Sequence, residues 1–182
     1  MTFTMPIRAA AALAVAAAVL LAGLALQPAT ADAACRGAGS SHLSKGKAAR
    51  AFVCLINKER ARRGLRKVRG SRTLAGVATR HARDSVRYRF MGHTSPKRGT
   101  LTRRFHRSGY RPGPGRVYFG EILGAGSGRL SSPRRIVRAW MNTRIHRTAI
   151  LYPKFRRLGV GIAKGMPTNR RRGRNFVVTF AS

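Results

Sequence analysis

Three side chains of this 182-residue chain could share one piece of chemistry: His93, Glu121 and His146. Two imidazoles and a carboxylate suit a divalent cation with open coordination positions. They equally suit a general acid–base centre. The three stand far apart in sequence. The alternative is local satisfaction, with His93 capping a loop and His146 hydrogen-bonding nearby. His42, His81 and His106 fall in linker or basic helical contexts and read as solvated. Ser95 adjoins His93 but has no evident acid partner. Neither an HExxH zinc motif nor a Gly-x-Ser-x-Gly elbow occurs.

Glu121 draws attention because acids are so scarce. Lysine and arginine total 38 against 4 aspartates and glutamates, a formal net charge of +34. An ordinary cytosolic enzyme surface, with both signs interspersed, is excluded. An anionic partner or environment is implied. Glu59 has Arg62 and Arg63 at i+3 and i+4, and Asp84 has Arg80 at i−4 and Arg87 at i+3, so both read as helix ion-pair acids. Glu121 sits in a predicted strand with no such neighbour.

The elements that must position these residues follow a secretory start. Arg8 precedes an apolar run from Ala9 to Leu26, and small residues at Ala31 and Ala33 suit cleavage. The expectation is a signal peptide over 1–33; the alternative is a membrane anchor of about 18 residues. After cleavage no stable transmembrane segment is expected, and the protein is expected to be secreted. Residues 34–46 read as a linker. Cys35 and Cys54 are the only cysteines. In an oxidising compartment they form a disulfide worth roughly 3 kcal/mol; the alternative is two free thiols.

Apolar spacing predicts a helix over 47–63, ending at Gly64, and a second one capped by Ser71. A loop follows at 90–96, then a short helix capped by Thr100 and stopped by Gly109. Residues 117–123 read as a strand entering a glycine-rich loop at 124–128. Ser132-Pro133 opens another helix, carrying Trp140. A further helical turn holds His146, and 158–163 and 176–181 read as late strands. Helices first and strands late give an α+β chain with an antiparallel sheet. Phe90, Phe105, Tyr110 and Trp140 read as core.

These residues also carry a resemblance. Ile56-Asn57-Lys58-Glu59-Arg60-Ala61 with Gly64-Leu65, Phe90, His93-Thr94-Ser95-Pro96, Gly109-Tyr110, Gly120-Glu121, Ala139-Trp140-Met141-Asn142, His146-Arg147 with Ile150-Leu151, and Leu158 to Ala163 occur in that order. The set resembles the CAP (SCP-like) superfamily of cysteine-rich secretory proteins, antigen 5 and pathogenesis-related protein 1, closest to its bacterial extracellular branch. The resemblance implies a CAP domain over 47–182, folded as a three-layer α-β-α sandwich with a central antiparallel sheet. It further implies a cleft lined by His93, Glu121 and His146, supported by Asn142 and Ser95. Some members hold a divalent cation such as zinc there. Some complete the set with a second glutamate, which Trp140-Met141-Asn142 does not supply. Ile122 and Ala149 stand where asparagines are usual, which suggests a degraded or repurposed cleft.

Three functions are compatible with these residues. The first is a secreted binding protein at or near the cell envelope, with a lipid, glycan or metal-bridged anion as ligand. The second is a binder of anionic polymers or envelope surfaces: nucleic acid without sequence readout, teichoic acid or anionic lipid. The third is a metal-dependent hydrolase in which Glu121 acts as base or ligand.

Overall fold

The computed structural model describes residues 35–169 and 172–182. The expected signal peptide lies outside the described residues. The stretch expected to be a linker instead belongs to the folded body. Cys35 and Ala38 are buried against Ala51, and Cys35 is bonded to Cys54. Its glycines read as flexible, but the crosslink and this small apolar cluster hold it.

In chain order the elements are α1 (Lys45–Ala61), β1 (Arg69–Gly70), α2 (Arg72–Arg87), α3 (Leu101–His106), β2 (Phe119–Gly126), a 3₁₀ turn (Gly128–Ser131), α4 (Pro133–Asn142), α5 (Arg144–Ile150), β3 (Arg157–Lys164) and β4 (Arg174–Ala181). Helix starts follow the capping chemistry of the sequence. Ser44, Ser71 and Thr100 accept the backbone N–H groups of Lys47, Leu74 and Arg103. Pro133 opens α4, although the Ser132 side chain makes no cap bond.

The sheet runs β1-β3-β4-β2. β3–β4 and β4–β2 are antiparallel, as expected, while the two-residue β1 joins β3 in parallel. β2 continues to Gly126, through glycines expected to form a loop. Side chains would not fit there: a Cβ at Gly124 would lie 3.0 Å from the Trp140 indole, and one at Gly126 2.7 Å from the Leu130 carbonyl oxygen.

Strand alternation sends successive residues to opposite faces. Ile122, Leu158, Val160, Ile162, Phe176, Val178 and Phe180 face one helical layer, packing with Phe52 and Ile56 of α1, Trp140 of α4 and Ile150 of α5. Leu123, Ala163 and Val177 pack with Ala78, Ala82 and Val86 of α2. The result is an α-β-α sandwich. On the α2 side the helix lies directly on β3: a Cβ on Gly159 or Gly161 would fall 2.0 or 2.1 Å from α2 backbone atoms.

Arg60 joins α1 to the far end of the chain. It is fully buried. Its guanidinium donates to the carbonyls of Arg66, Ile150, Tyr152 and Phe155, with no carboxylate present. Burial, and next Arg156, pull its pKa below the usual guanidinium value.

Candidate functional site

Glu121 lies on β2 opposite Thr179 of β4, and its side chain is 0% exposed. Its neighbour Ile122 points the other way, into the main core. An asparagine at 122 would therefore have faced apolar side chains, and isoleucine there is a packing choice.

Four nitrogens face the Glu121 carboxylate. Arg104 of α3 donates from Nη1 to Oε2 at 2.8 Å and from Nη2 to Oε1 at 3.0 Å. His93 Nδ1 is 3.1 Å from Oε1, and His81 Nε2 is 3.5 Å from it. Carboxylate oxygens accept only, so His93 presents Nδ1–H inward. Its side chain is 60% exposed, which leaves Nε2 as the nitrogen available to a ligand. Arg104 Nη2 also donates to the His93 carbonyl at 2.6 Å, fixing the loop that carries the imidazole.

His81 is a correction. It was expected in solvent but is fully buried on α2. Its Nε2 lies 2.8 Å from the Gly92 carbonyl, so that nitrogen carries the hydrogen. Nδ1 is buried with no partner. The signal was present, because position 81 continues the apolar stripe of Leu74, Val77 and Ala78 at helical spacing. The Phe90 ring meets the His81 ring edge-on at 5.4 Å between centroids. Phe90 itself is only half-buried. His42 and His106 are exposed as expected.

Asp84 is a second correction. It sits on the buried side of α2, whereas Arg80 and Arg87 are exposed. Its partners come from the loop: Arg98 pairs with its carboxylate and Ser95 Oγ donates to it at 2.8 Å. Ser95 thus has an acid partner after all. That hydroxyl also accepts the Arg98 backbone N–H, and Ser95 exchanges backbone bonds with Gly99. The knot pins the segment that begins at His93. Glu59 makes its expected pairs with Arg62 and Arg63.

His146 lies on α5, partly buried, with Nδ1 lacking a partner. Burial, and next the charge of His93, pull its pKa down. Burial also lowers the pKa of His81, ahead of the opposing pull of Glu121. For Glu121 burial pushes upward, but hydrogen bonds from His93 and Arg104 and the charges of His81 and Arg104 outweigh it. The carboxyl stays below its ordinary range. Asn142 is exposed at the end of α4.

Of the expected trio, His93 bonds to Glu121, and the charge of His93 is felt at His146. The residues present do not fit a three-ligand metal set. A carboxylate offers about four lone-pair positions, and four nitrogens, two of them from one bidentate guanidinium, already face those of Glu121. No group of three or more potential metal-binding side chains is brought together among the described residues. Glu121 instead orients His93 from behind, as a carboxylate orients a functional imidazole. The sequence reading missed His81 and Arg104. Arg104 had no local signal, being one arginine among many and 17 positions from its partner.

Comparison with known proteins fits this architecture. The model of the Cysteine-rich secretory protein family, CAP, matches residues 53–180. A Bacillus subtilis relative, the uncharacterized protein YkwD, is 32% identical over 112 residues, 60% of this chain and 40% of its own length. An extracellular protein containing an SCP domain from Bacillus anthracis superposes with a TM-score of 0.60 at 25% identity, over 78% of this chain and 44% of that one. The chain thus spans less than half the length of either relative. An outer surface protein from Borrelia burgdorferi shares the fold, with a TM-score of 0.59 at 23% identity over 72% of this chain and 89% of that one.

Proposed function

Because the chain belongs to the cysteine-rich secretory protein (CAP) family, we propose that it is a secreted protein that binds a lipid or glycan at the cell envelope, through the His93/His146 face, without catalysing a reaction. The observation that carries this reading is the bidentate grip of Arg104 on Glu121. A carboxylate held ionised by a guanidinium, with its pKa pulled down, is a poor proton acceptor near neutral pH. The Ser95 hydroxyl is buried, and the Asp84 carboxylate that accepts it is itself paired with Arg98, which makes that carboxylate a weak base for activating a nucleophile. What remains available is His93 Nε2, and exposed apolar side chains lie close to the two histidines in sequence. Met91 is 51% exposed, and Ile145, next to His146, is 76% exposed. A polar donor or acceptor among exposed apolar groups suits an amphipathic ligand. Secretion is supported by the N-terminal sequence and by the extracellular and outer-surface relatives. No helix among the described residues is long and apolar enough to cross a membrane.

The test is capture of lipids and glycans from envelope extracts, read by native mass spectrometry, with the wild type against His93→Ala and Ile145→Ser. Loss of a bound species in both variants is expected. Equal capture by all three, or turnover of an ester or glycoside substrate that Glu121→Gln abolishes in a folded protein, overturns the reading.

A second reading, polyanion attachment, rests on the charge of +34. The basic side chains spread over several elements, so attraction should be long-range and should read no sequence. Heparin retention is expected to fall steeply with salt. A flat response excludes it.

A further inference from the structure

Lined by side chains other than the histidines, a cavity of about 550 Å³ opens between α2, α3 and the loop at 95–99. Val77 lines it together with five cations: Arg80, Lys97, Arg98, Arg104 and Arg107. Their electrostatic states differ. Arg98 is paired with Asp84 and Arg104 with Glu121. Both guanidiniums are thereby held in place by buried carboxylates. The side chains of Arg80, Lys97 and Arg107 make no hydrogen bond or ion pair with any described residue. Three uncompensated positive charges surround one concavity.

Such an arrangement repels itself. Like charges gathered around one concavity raise each other's energy. A bound anion removes that cost. The walls also exclude part of the solvent, so the field is stronger inside the cavity than over the open basic surface. Guanidinium groups fork onto phosphate oxygens and the lysine ammonium adds a point charge. The volume lies within the range of small-molecule pockets, and three free cations call for more than one anionic group.

We propose that this cavity binds a ligand carrying two or more phosphate groups, either a soluble oligophosphate or the headgroup of a multiply phosphorylated lipid. The inference does not rest on the lipid or glycan reading of the histidine face. The two regions adjoin at Arg104, whose guanidinium lines the cavity and grips Glu121, and at Arg98, whose pairing with Asp84 pins the loop that begins at His93.

The experiment is calorimetric titration of the full protein with pyrophosphate, repeated with Lys97→Ala/Arg107→Ala and with Arg135→Ala/Arg138→Ala. All four substituted side chains are exposed, so both variants should fold. The second pair removes the same charge from α4, which packs on α1 in the opposite helical layer. One pyrophosphate per chain is expected. The Lys97/Arg107 variant should weaken it by about tenfold or more, and the α4 variant by about twofold or less. No saturable binding, or equal weakening in both variants, overturns the proposal in favour of diffuse charge. A second arm uses phosphatidylcholine vesicles with and without phosphatidylinositol bisphosphate. Capture that requires the bisphosphate and is competed by pyrophosphate assigns the pocket to a headgroup. Pyrophosphate binding without vesicle capture assigns it to a soluble ligand. A failed lipid or glycan capture at the histidine face leaves this titration unaffected, so the two readings fail separately.

Discussion

Arg104 holds Glu121 through both terminal nitrogens, at 2.8 and 3.0 Å, with both side chains buried. One of those nitrogens also holds the His93 carbonyl. A single guanidinium thus sets the charge state of the carboxylate and the position of the imidazole. Removing it strands a buried carboxylate. Arg104→Met is expected to cost about 3–5 kcal/mol of stability. Arg104→Met combined with Glu121→Gln should cost less than Arg104→Met alone, because the stranded charge is gone. Urea unfolding of the two variants and the wild type checks this; a double variant less stable than Arg104→Met refutes it.

Acid should unfold the protein in two stages of the same sign. His81 and His146 have folded pKa values below their unfolded ones. Between the two values the unfolded chain binds more protons, so stability falls as pH drops below about 6.5. Glu121 also titrates lower in the fold. Its contribution is full above the ordinary carboxylate pKa of about 4.3 and is lost as pH falls through the depressed value. Urea midpoints measured across this range should decline throughout. His146→Gln should shrink the upper stage and leave the lower one.

How far these residues could be read from sequence depended on range. Ser44, Ser71 and Thr100 act within one helical turn, and Glu59 with Arg62 and Arg63 does too; local spacing announces such contacts. The apolar stripe of α2 was equally legible and should have claimed His81. Asp84 shows the limit: its helical neighbours were correct in sequence and wrong in space, because the burial of that face decided its partner. Arg104 and Arg60 lie beyond that limit. One meets Glu121 across 17 positions and the other meets Ile150 across 90, and nothing in the arginine background distinguishes either. The strand through Gly124 and Gly126 was obscured for a related reason. Those glycines answer to the Trp140 ring and the Leu130 backbone, which only the fold brings near.

The contact of α2 with β3 admits no side chain. A Cβ at Gly161 would fall 2.1 Å from the Ala78 carbonyl carbon. Backbone, not a flexible side chain, blocks it, so relief requires moving the helix that carries His81 and Asp84. Gly161→Ala is expected to cost about 3 kcal/mol or more. Gly70→Ala, where nothing lies within 4 Å of the added atom, should leave the thermal midpoint nearly unchanged. Comparable midpoints for the two variants would contradict the close-approach account.

Zinc titration separates the carboxylate's two possible employments. With Arg104 in place, the lone pairs of Glu121 face Arg104, His93 and His81. His93 Nε2 is left facing outward and His146 Nδ1 is buried without a partner, with no third ligand joined to them among the described residues. Two imidazoles alone make a weak site, since stable zinc sites use three or four protein ligands. The wild type is therefore expected to take up no stoichiometric zinc at neutral pH. Arg104→Gln removes the competing cation and leaves the carboxylate accessible to a metal; zinc affinity should rise by about tenfold or more if that variant keeps its near-ultraviolet circular dichroism. Glu121→Gln added to Arg104→Gln should abolish the gain. Stoichiometric zinc on the wild type, lost in Glu121→Gln, would show instead that the carboxylate exchanges Arg104 for the metal, and that the guanidinium is a placeholder rather than a lock.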